Sequence, residues 1–155
     1  MATAHPFKLV CTLALSAAAA AAGAQEAGRT VTPAELQWMP STRVQGLEQA
    51  DLIGDSTKPG PYVQRVRYPA NFVNRPHTHP EERTYTIISG TWYVGFGDTF
   101  DESRLTALPA GSFYTEPANV AHFVVSKGEP VVVQITGVGP TASRFIDPAQ
   151  MPRKP

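Results

Sequence analysis

Three histidines, His77, His79 and His122, have the residue type and the spacing that suit metal chemistry in this sequence. The only other histidine, His5, lies within the first 24 residues. Imidazole binds first-row transition metals well. The two imidazoles of a His-x-His segment share a face when the segment is extended, and a third from a distant strand can complete a metal-binding face. The pattern predicts the kind of site, but not the molecule on which it acts.

The other residue types narrow the choice of metal. Cys11 is the only cysteine, so thiolate ligands are absent once the N-terminal segment is removed. No methionine lies near the three histidines in the sequence, which disfavours copper(I). A divalent transition metal is therefore predicted as the cofactor, with iron, manganese, nickel and zinc all open.

The N-terminal segment resembles a secretory signal peptide. Lys8 is the only charged residue before Glu26, an apolar, alanine-rich run covers residues 9–22, and small residues occupy positions 22–24. A charged start, a short apolar run and an A-x-A-like end are typical of a cleaved signal. An uncleaved anchor helix is the alternative, but the run is short for a membrane span. We predict that residues 1–24 are removed on export and that the protein is exported, to the periplasm.

Composition excludes several classes of partner. Lys8 leaves with the signal, which changes the count from 13 basic residues to 12, against 13 acidic residues. A chain with balanced charge and no basic cluster is not expected to bind nucleic acid, or a membrane after cleavage. A small-molecule ligand is the expected partner, and exposed sheet edges predict a homodimer.

The remaining chain has the pattern of an all-β protein. Turn signals recur at short intervals, and between them lie runs rich in β-branched and aromatic residues, which predict strands at 62–68, 83–89, 91–96, 112–116, 122–126 and 131–136. Gly90 is expected to make a tight break that leaves 83–89 and 91–96 as neighbouring strands. Thr32, Pro33 and Glu35 have the pattern of a capped N-terminus and predict one short helix.

Two segments together resemble the motifs of the cupin superfamily. The segment HTHPEERTYTIISG resembles the first motif, and GSFYTEPANVAH resembles the second, with Asn119 where a second glycine is usual. The resemblance covers roughly residues 73–126 and implies a single jelly-roll β-barrel at 44–145. An N-terminal arm with a short helix at 25–43 and a tail at 146–155 would flank it. In that family two histidines, a glutamate and a later histidine bind a divalent metal.

The sequence departs from the family at the glutamate. Counting back from Gly90, that position is occupied by Arg83, and Glu81 and Glu82 precede it. Side chains alternate along a strand, so a shift of one residue turns a group to the opposite face. Glu82 remains a fourth-ligand hypothesis if the strand bulges or starts one residue later. Otherwise three histidines and water complete the shell.

Other residues are predicted to line a substrate pocket. An inward Arg83 beside a metal would hold a carboxylate or another anion, although an outward arginine paired with a glutamate is the alternative. Tyr85, Trp92 and Tyr114 could wall the cavity. Gln134 interrupts an apolar strand and is predicted either to contact a metal-bound water or to face outward.

Two function classes remain open at the level of sequence. One is a metal-dependent enzyme of the oxygenase, isomerase or lyase type that acts on a small molecule. The other is a non-catalytic module that binds or senses a small ligand. The fold does not decide between them, and no residue is assigned a catalytic role.

Overall fold

The computed structural model describes Met1 and residues 28–151. The predicted signal peptide at 1–24 lies outside the described residues, apart from Met1, as do the last residues of the predicted tail. The chain divides into two compact units, Met1–Val31 and Thr32–Pro155, and the strands described below all belong to the second. Within the described part of the chain, no helix is long and apolar enough to cross a membrane.

Strands make up nearly all of the regular structure in residues 28–151. In chain order they are β1 Met39–Pro40, β2 Glu48–Ile53, β3 Gly60–Tyr68, β4 Val73–Thr78, β5 Arg83–Ser89, β6 Thr91–Phe96, β7 Thr106–Pro109, β8 Phe113–Glu116, β9 His122–Ser126, β10 Val131–Gly139 and β11 Arg144–Phe145. Three single turns of 3₁₀ helix accompany them, at Pro33–Glu35, Glu102–Arg104 and Pro148–Gln150.

The strands form two antiparallel sheets. The larger sheet has the order β1-β2-β3-β10-β5-β8, and the smaller has the order β11-β4-β9-β6-β7. The alternation predicted for β3 is confirmed, because Tyr62, Gln64, Val66 and Tyr68 are buried while the residues between them are not. The six predicted strands are all present, and the all-β class is confirmed.

Gly90 does not join neighbouring strands. The sequence predicted β5 and β6 as partners, but β5 pairs with β10 and β8 in the larger sheet, and β6 pairs with β9 and β7 in the smaller. Gly90 has φ of 73°, and a Cβ there would lie 2.6 Å from the carbonyl oxygen of Pro130. The glycine therefore allows the chain to pass from one sheet to the other in one tight step.

The predicted N-terminal helix is limited to one 3₁₀ turn. The backbone N–H of Thr32 donates to the Glu35 carboxylate at 2.7 Å, as a capping pattern requires, but Leu36 already has extended backbone angles. Pro33, Ala34 and Glu35 are exposed. A helix with no apolar face to bury would gain little stability if it were longer. The capping pattern therefore produces only one turn.

The hydrophobic core lies between the two sheets. The larger sheet contributes Tyr68, Ile87 and Val133, and the smaller contributes Trp92 and Val124 to the same cluster. The rings of Tyr68 and Trp92 meet across the gap with centroids 4.5 Å apart. This packing fixes the separation of the sheets and therefore the position of the side chains that extend beyond the core.

Candidate metal centre

The three histidines converge on one buried point. His77 of β4 and His122 of β9 are directly opposite each other in the strand pairing, with ring centroids 4.3 Å apart. His79 follows the end of β4, and its ring lies 4.8 Å from that of His77. Their ligand nitrogens lie within 4.8 Å of one another, and all three residues are buried. The structure thus brings together the three histidines that the sequence singled out.

Local backbone features place these histidines. The β4–β9 pairing shifts register between Asn74 and His77, which is a bulge that re-aims the end of β4. Asn119 has φ of 61°, a left-handed conformation that asparagine tolerates, at the position where the family usually has glycine. Its N–H donates to the carbonyl oxygen of His79 at 2.7 Å, so the loop before His122 is tied to His79.

Backbone carbonyl groups fix the tautomer of each imidazole. Each Nδ1 donates to a carbonyl oxygen: His77 to Arg75 at 2.7 Å, His79 to Ala142 at 2.6 Å and His122 to Val120 at 3.1 Å. A carbonyl oxygen can only accept, so the proton of each neutral ring lies on Nδ1 and the lone pair lies on Nε2. This arrangement orients histidines that bind metals.

Burial keeps the imidazoles neutral. It lowers the pKa of His77 to about 3 and the pKa of His122 to about 4, and it holds the pKa of His79 well below its usual value. A metal ion binds neutral imidazole. At neutral pH these rings therefore need not lose a proton before they bind a metal ion.

Glu116 is a buried carboxylate at this point that the sequence reasoning missed. Its Oε1 lies 3.1 Å from Nε2 of His122, and its Oε2 lies 3.9 Å from Nε2 of His79. Burial raises the pKa of the Glu116 carboxyl group. The alternation of side chains along the strand could have predicted that Glu116 faces the cavity. Tyr114 was predicted to face the pocket, and the residue two positions further on the same strand must face it as well.

Arg83 faces inward, and Glu82 does not. The Arg83 guanidinium is buried, donates from Nη2 to Oε2 of Glu116 at 3.3 Å and places Nε 3.7 Å from Oε1 of Glu81. Glu82 is exposed and lies outside the histidine cluster, which corrects its prediction as the fourth ligand. The strand begins at Arg83 without a bulge, so alternation turns Glu82 towards solvent.

Three aromatic residues line the cavity as the sequence predicted. Tyr85 and Tyr114 are opposite each other in the β5–β8 pair, and their rings stack at 4.6 Å with 19° between planes. Trp92 donates from Nε1 to the Tyr114 hydroxyl at 3.0 Å, and that hydroxyl donates to Oε1 of Glu116 at 3.1 Å. This chain of hydrogen bonds orients the carboxylate towards the histidines.

Gln134 does not line the cavity. Its neighbours Val133 and Ile135 are buried, so alternation places Gln134 on the outer face of β10, where its amide oxygen accepts from Arg65 Nε at 3.2 Å. The inward glutamine is Gln64 on the adjacent strand, which lines the cavity and accepts from the hydroxyl group of Ser56 at 3.1 Å. Of the two predictions for Gln134, the outward one is correct.

The cavity beside the histidines has a volume of about 80 Å³. One water molecule needs about 10–15 Å³ measured in the same way, so several waters or part of a small molecule would fit. The lining includes the histidines, Arg83 and Glu116, and the connection between β1 and β2 contributes Ser41, Arg43, Val44 and Leu47.

The residues at this point fit a divalent cation. Within the described residues, Nε2 of His79 is buried and has no hydrogen-bond partner. Nε2 of His122 directs its lone pair at a carboxylate oxygen 3.1 Å away, and two acceptors at that distance need a positive charge or a proton between them. Imidazole nitrogens and a carboxylate oxygen are also a donor set that iron, manganese, nickel and zinc accept.

The chain is similar to known cupin-type sequences. Residues 26–142 match the model of the ChrR cupin-like domain. Putative germin-like protein 9-2 of Oryza sativa subsp. japonica is 27% identical over 114 residues, which cover 73% of this chain and 47% of that protein. Putative germin-like protein subfamily 1 member 12 of Arabidopsis thaliana is 36% identical over 72 residues, which cover 44% of this chain and 32% of that protein. The chain spans no more than about half the length of these relatives.

Solved structures with low sequence identity share the fold. The polyketide cyclase RemF from Streptomyces resistomycificus has a TM-score of 0.65 at 14% identity, over 81% of this chain and 90% of that one. The DMSP lyase DddQ from Ruegeria pomeroyi DSS-3 has a TM-score of 0.56 at 20% identity, over 72% of this chain and 61% of that one. The resemblance seen in the two histidine motifs is therefore confirmed, and the chain belongs to the ChrR cupin-like domain family of the cupin superfamily.

Proposed function

We propose that this protein is a metal-dependent cupin enzyme whose two sheets form a jelly-roll barrel around a divalent ion and a small-molecule substrate. The ion is held by His77, His79 and His122. The observation that carries the proposal is that each of the three neutral imidazoles donates from Nδ1 to the backbone and keeps its lone pair on Nε2, within one buried cluster. Nε2 of His77 accepts from Asn74 Nδ2 at 3.2 Å, but Nε2 of His79 is buried without a hydrogen-bond partner among the described residues, and such a group costs stability unless a bound ion satisfies it.

The charges around the cavity indicate a class of substrate. The guanidinium groups of Arg43 and Arg83 and the carboxylate of Glu116 line this cavity, and the histidines are neutral. Two cationic groups against one carboxylate leave an excess of positive charge, which a divalent ion would increase. A site with that charge favours an anion, so we expect a small carboxylate, enolate or other chelating oxygen compound.

The protein residues have separable tasks. A bound divalent ion supplies Lewis acidity, and redox chemistry as well if it is iron. Tyr85, Tyr114 and Trp92 exclude water from one side of the cavity and restrict the orientation of the substrate. Burial raises the pKa of both tyrosines far above the usual value, so their hydroxyl groups stay protonated and act as hydrogen-bond donors.

Two proteins of similar fold have names that are compatible with an enzyme of the lyase type. They are named a polyketide cyclase and a DMSP lyase. An oxygenase is the other enzyme class that the donor set permits, because three imidazoles also suit iron.

The test is a substrate screen with protein loaded separately with iron, manganese, nickel and zinc. Product formation and oxygen uptake are followed with small carboxylates and diketones. Turnover that depends on one metal, and that is lost in a His77→Ala, His122→Ala double variant, is the expected result. If no loading gives turnover while a ligand binds equally well to metal-free protein, the enzyme proposal is wrong and a binding module is the better description.

Export to the periplasm is part of the proposal and is tested separately. We expect a mature chain that begins at Gln25, after the small residues at 22–24. Intact-mass measurement of protein recovered from the periplasm would contradict this if Met1 were retained. Size-exclusion chromatography with light scattering would test the expected homodimer.

A further inference from the structure

We propose that Glu116 supplies the fourth protein ligand of the metal centre and that Arg83 is the positioning residue that holds its carboxylate. The inference rests on the proposed metal function and deepens it. The three histidines form a possible metal cluster by themselves, and the Glu116 carboxylate lies beside them. Three observations carry the inference: the strand register, the distances to the histidines and the direction of the lone pairs.

The register brings a carboxylate into the centre from a different strand than the sequence suggested. Arg83 occupies the position on β5 where the motif resemblance would put a glutamate, and Glu116 on β8 is its direct partner across the strand pair. Directly opposite residues of an antiparallel pair have Cβ atoms about 4.5–5.5 Å apart, so their side chains reach the same volume. The chain thus has the carboxylate on β8 and the guanidinium on β5.

The distances suit two ligands of one ion. Oxygen and nitrogen ligands lie about 2.0–2.2 Å from zinc, so two of them are separated by about 3.0 Å at a right angle and about 3.4 Å at the tetrahedral angle. Glu116 Oε1 lies 3.1 Å from Nε2 of His122, and Oε2 lies 3.9 Å from Nε2 of His79. The first separation falls in this range and the second lies outside it, so Oε1 is the ligand oxygen that the geometry supports.

The hydrogen bonds around Glu116 leave room for an ion. Arg83 donates to Oε2 at 3.3 Å and Tyr114 donates to Oε1 at 3.1 Å, so each oxygen keeps acceptor capacity. The remaining capacity of Oε1 faces Nε2 of His122, which is itself an acceptor because the proton of the ring lies on Nδ1, where it is donated to the Val120 carbonyl oxygen. A cation between these two atoms satisfies both of them. The competing arrangement is a carboxyl proton shared with the imidazole, which needs no metal.

The first experiment compares Glu116→Gln with Glu82→Gln. Glutamine keeps the shape of the side chain, and Glu82 is an exposed carboxylate next to Arg83, so it is the matched control. Zinc dissociation constants are measured by competition with a chromogenic chelator, on variants whose circular-dichroism spectra match the wild type. We expect Glu116→Gln to weaken zinc binding by at least about 100-fold and Glu82→Gln to change it by less than about threefold. Wild-type affinity in Glu116→Gln overturns the inference.

A second experiment covers the case in which Glu116→Gln does not fold. The crystal structure of the zinc-loaded wild-type protein should place a Glu116 oxygen about 2.0–2.2 Å from the ion. An ion held by the histidines and water, with both Glu116 oxygens beyond about 3 Å, overturns the inference without any variant.

The positioning role of Arg83 has its own readout in the visible spectrum of the cobalt(II)-loaded protein. The cobalt bands report the ligand set and do not respond to stability alone. We expect Arg83→Met to shift the bands towards those of Glu116→Gln, and Arg83→Lys to restore them towards the wild type because an ammonium group still pairs with the carboxylate. Wild-type bands in Arg83→Met overturn the positioning role.

These outcomes separate this inference from the proposed function. Zinc binding that is lost in the His77→Ala, His122→Ala double variant but unchanged in Glu116→Gln overturns only the role of Glu116. A wild-type protein that binds no zinc, cobalt, iron, manganese or nickel overturns both.

Discussion

The space between the two sheets has an apolar half and a polar half, and single strands pass from one to the other. In β5 the inward residues are Arg83, Tyr85 and Ile87 in that order, and in β9 His122 is followed on the same face by Val124. The change from charged through aromatic to aliphatic side chains therefore takes four residues or fewer. The two halves share the same backbone pairing, but one contains apolar side chains and the other contains buried polar and charged side chains.

The two halves differ in whether their buried groups are satisfied within the protein. Aliphatic and aromatic side chains fill the apolar half and form one cluster. In the polar half, Nε2 of His79, Oε2 of Glu81 and Nε of Arg83 are buried and lack hydrogen-bond partners within the described residues. Each such group costs about 1–3 kcal/mol when it stays unsatisfied. We infer that this half is arranged for groups that a bound ion and substrate would satisfy.

The largest expected effect on stability comes from the apolar half. Ile87 is 1% exposed and does not line the cavity, whereas the adjacent Ile88 is 38% exposed. Ile87→Ala should lower the free energy of unfolding by about 2–5 kcal/mol, because it removes buried methyl groups and leaves a cavity. Ile88→Ala is the matched control and should cost less than about 1 kcal/mol.

Denaturant unfolding of the metal-free proteins measures both changes, and the zinc dissociation constant should stay within about threefold of the wild type. Comparable losses of stability in the two variants would contradict the claim that the apolar half stabilises the fold. A tenfold loss of zinc affinity in Ile87→Ala would contradict the claim that the apolar half is separate from the metal centre.

Metal binding should stabilise the protein through the polar half alone. Zinc at 100 times its dissociation constant adds about 2.7 kcal/mol to the free energy of unfolding, since it binds the folded state. For a domain of this size the melting temperature should rise by roughly 8 °C. Differential scanning calorimetry checks the rise, which should vanish in a His122→Ala variant. An equal rise in that variant would place the zinc elsewhere.

A smaller effect separates the two faces of the larger sheet. Gln64 is 5% exposed, and its loss would leave the buried Ser56 hydroxyl without its acceptor, so Gln64→Ala should cost about 1–3 kcal/mol. Gln134 lies on the outer face and bonds to Arg65, so Gln134→Ala should change stability by no more than about 0.5 kcal/mol. Thermal denaturation of the two variants measures the difference. A larger loss of stability in Gln134→Ala than in Gln64→Ala would contradict the assignment of the faces.

The sequence predicted the features that depend on simple periodicity. Strands such as β3 and β10 alternate or are rich in β-branched residues, and the two histidine motifs have a regular spacing, so both could be found from the residues alone. The inward direction of Arg83 was one of two predictions, and it followed from the motif resemblance, because Arg83 occupies the position at which the family has its glutamate.

Other features depend on tertiary contacts that a single sequence does not show. Strand β4 contains Asn74, Arg75 and Pro76, which favour turns, and it forms because β9 and β11 pair with it on either side of a bulge. Alternation from Tyr114 places Glu116 on the inner face, but its proximity to Arg83 and His122 could not be predicted because these partners come from other strands. The partner of β5 was predicted wrongly because a glycine turn is equally compatible with a hairpin and with a step between sheets.

A comparison of zinc binding between the wild-type protein and a His77→Ala, His122→Ala double variant will show whether the three histidines hold the metal. Zinc is a suitable probe because it has no redox chemistry and accepts imidazole and carboxylate ligands. Equilibrium dialysis with metal analysis should show about one zinc per wild-type chain and an affinity at least about 100-fold weaker in the double variant, whose circular-dichroism spectrum should stay β-rich. Equal zinc content in the two proteins would contradict the assignment of the three histidines as the metal centre.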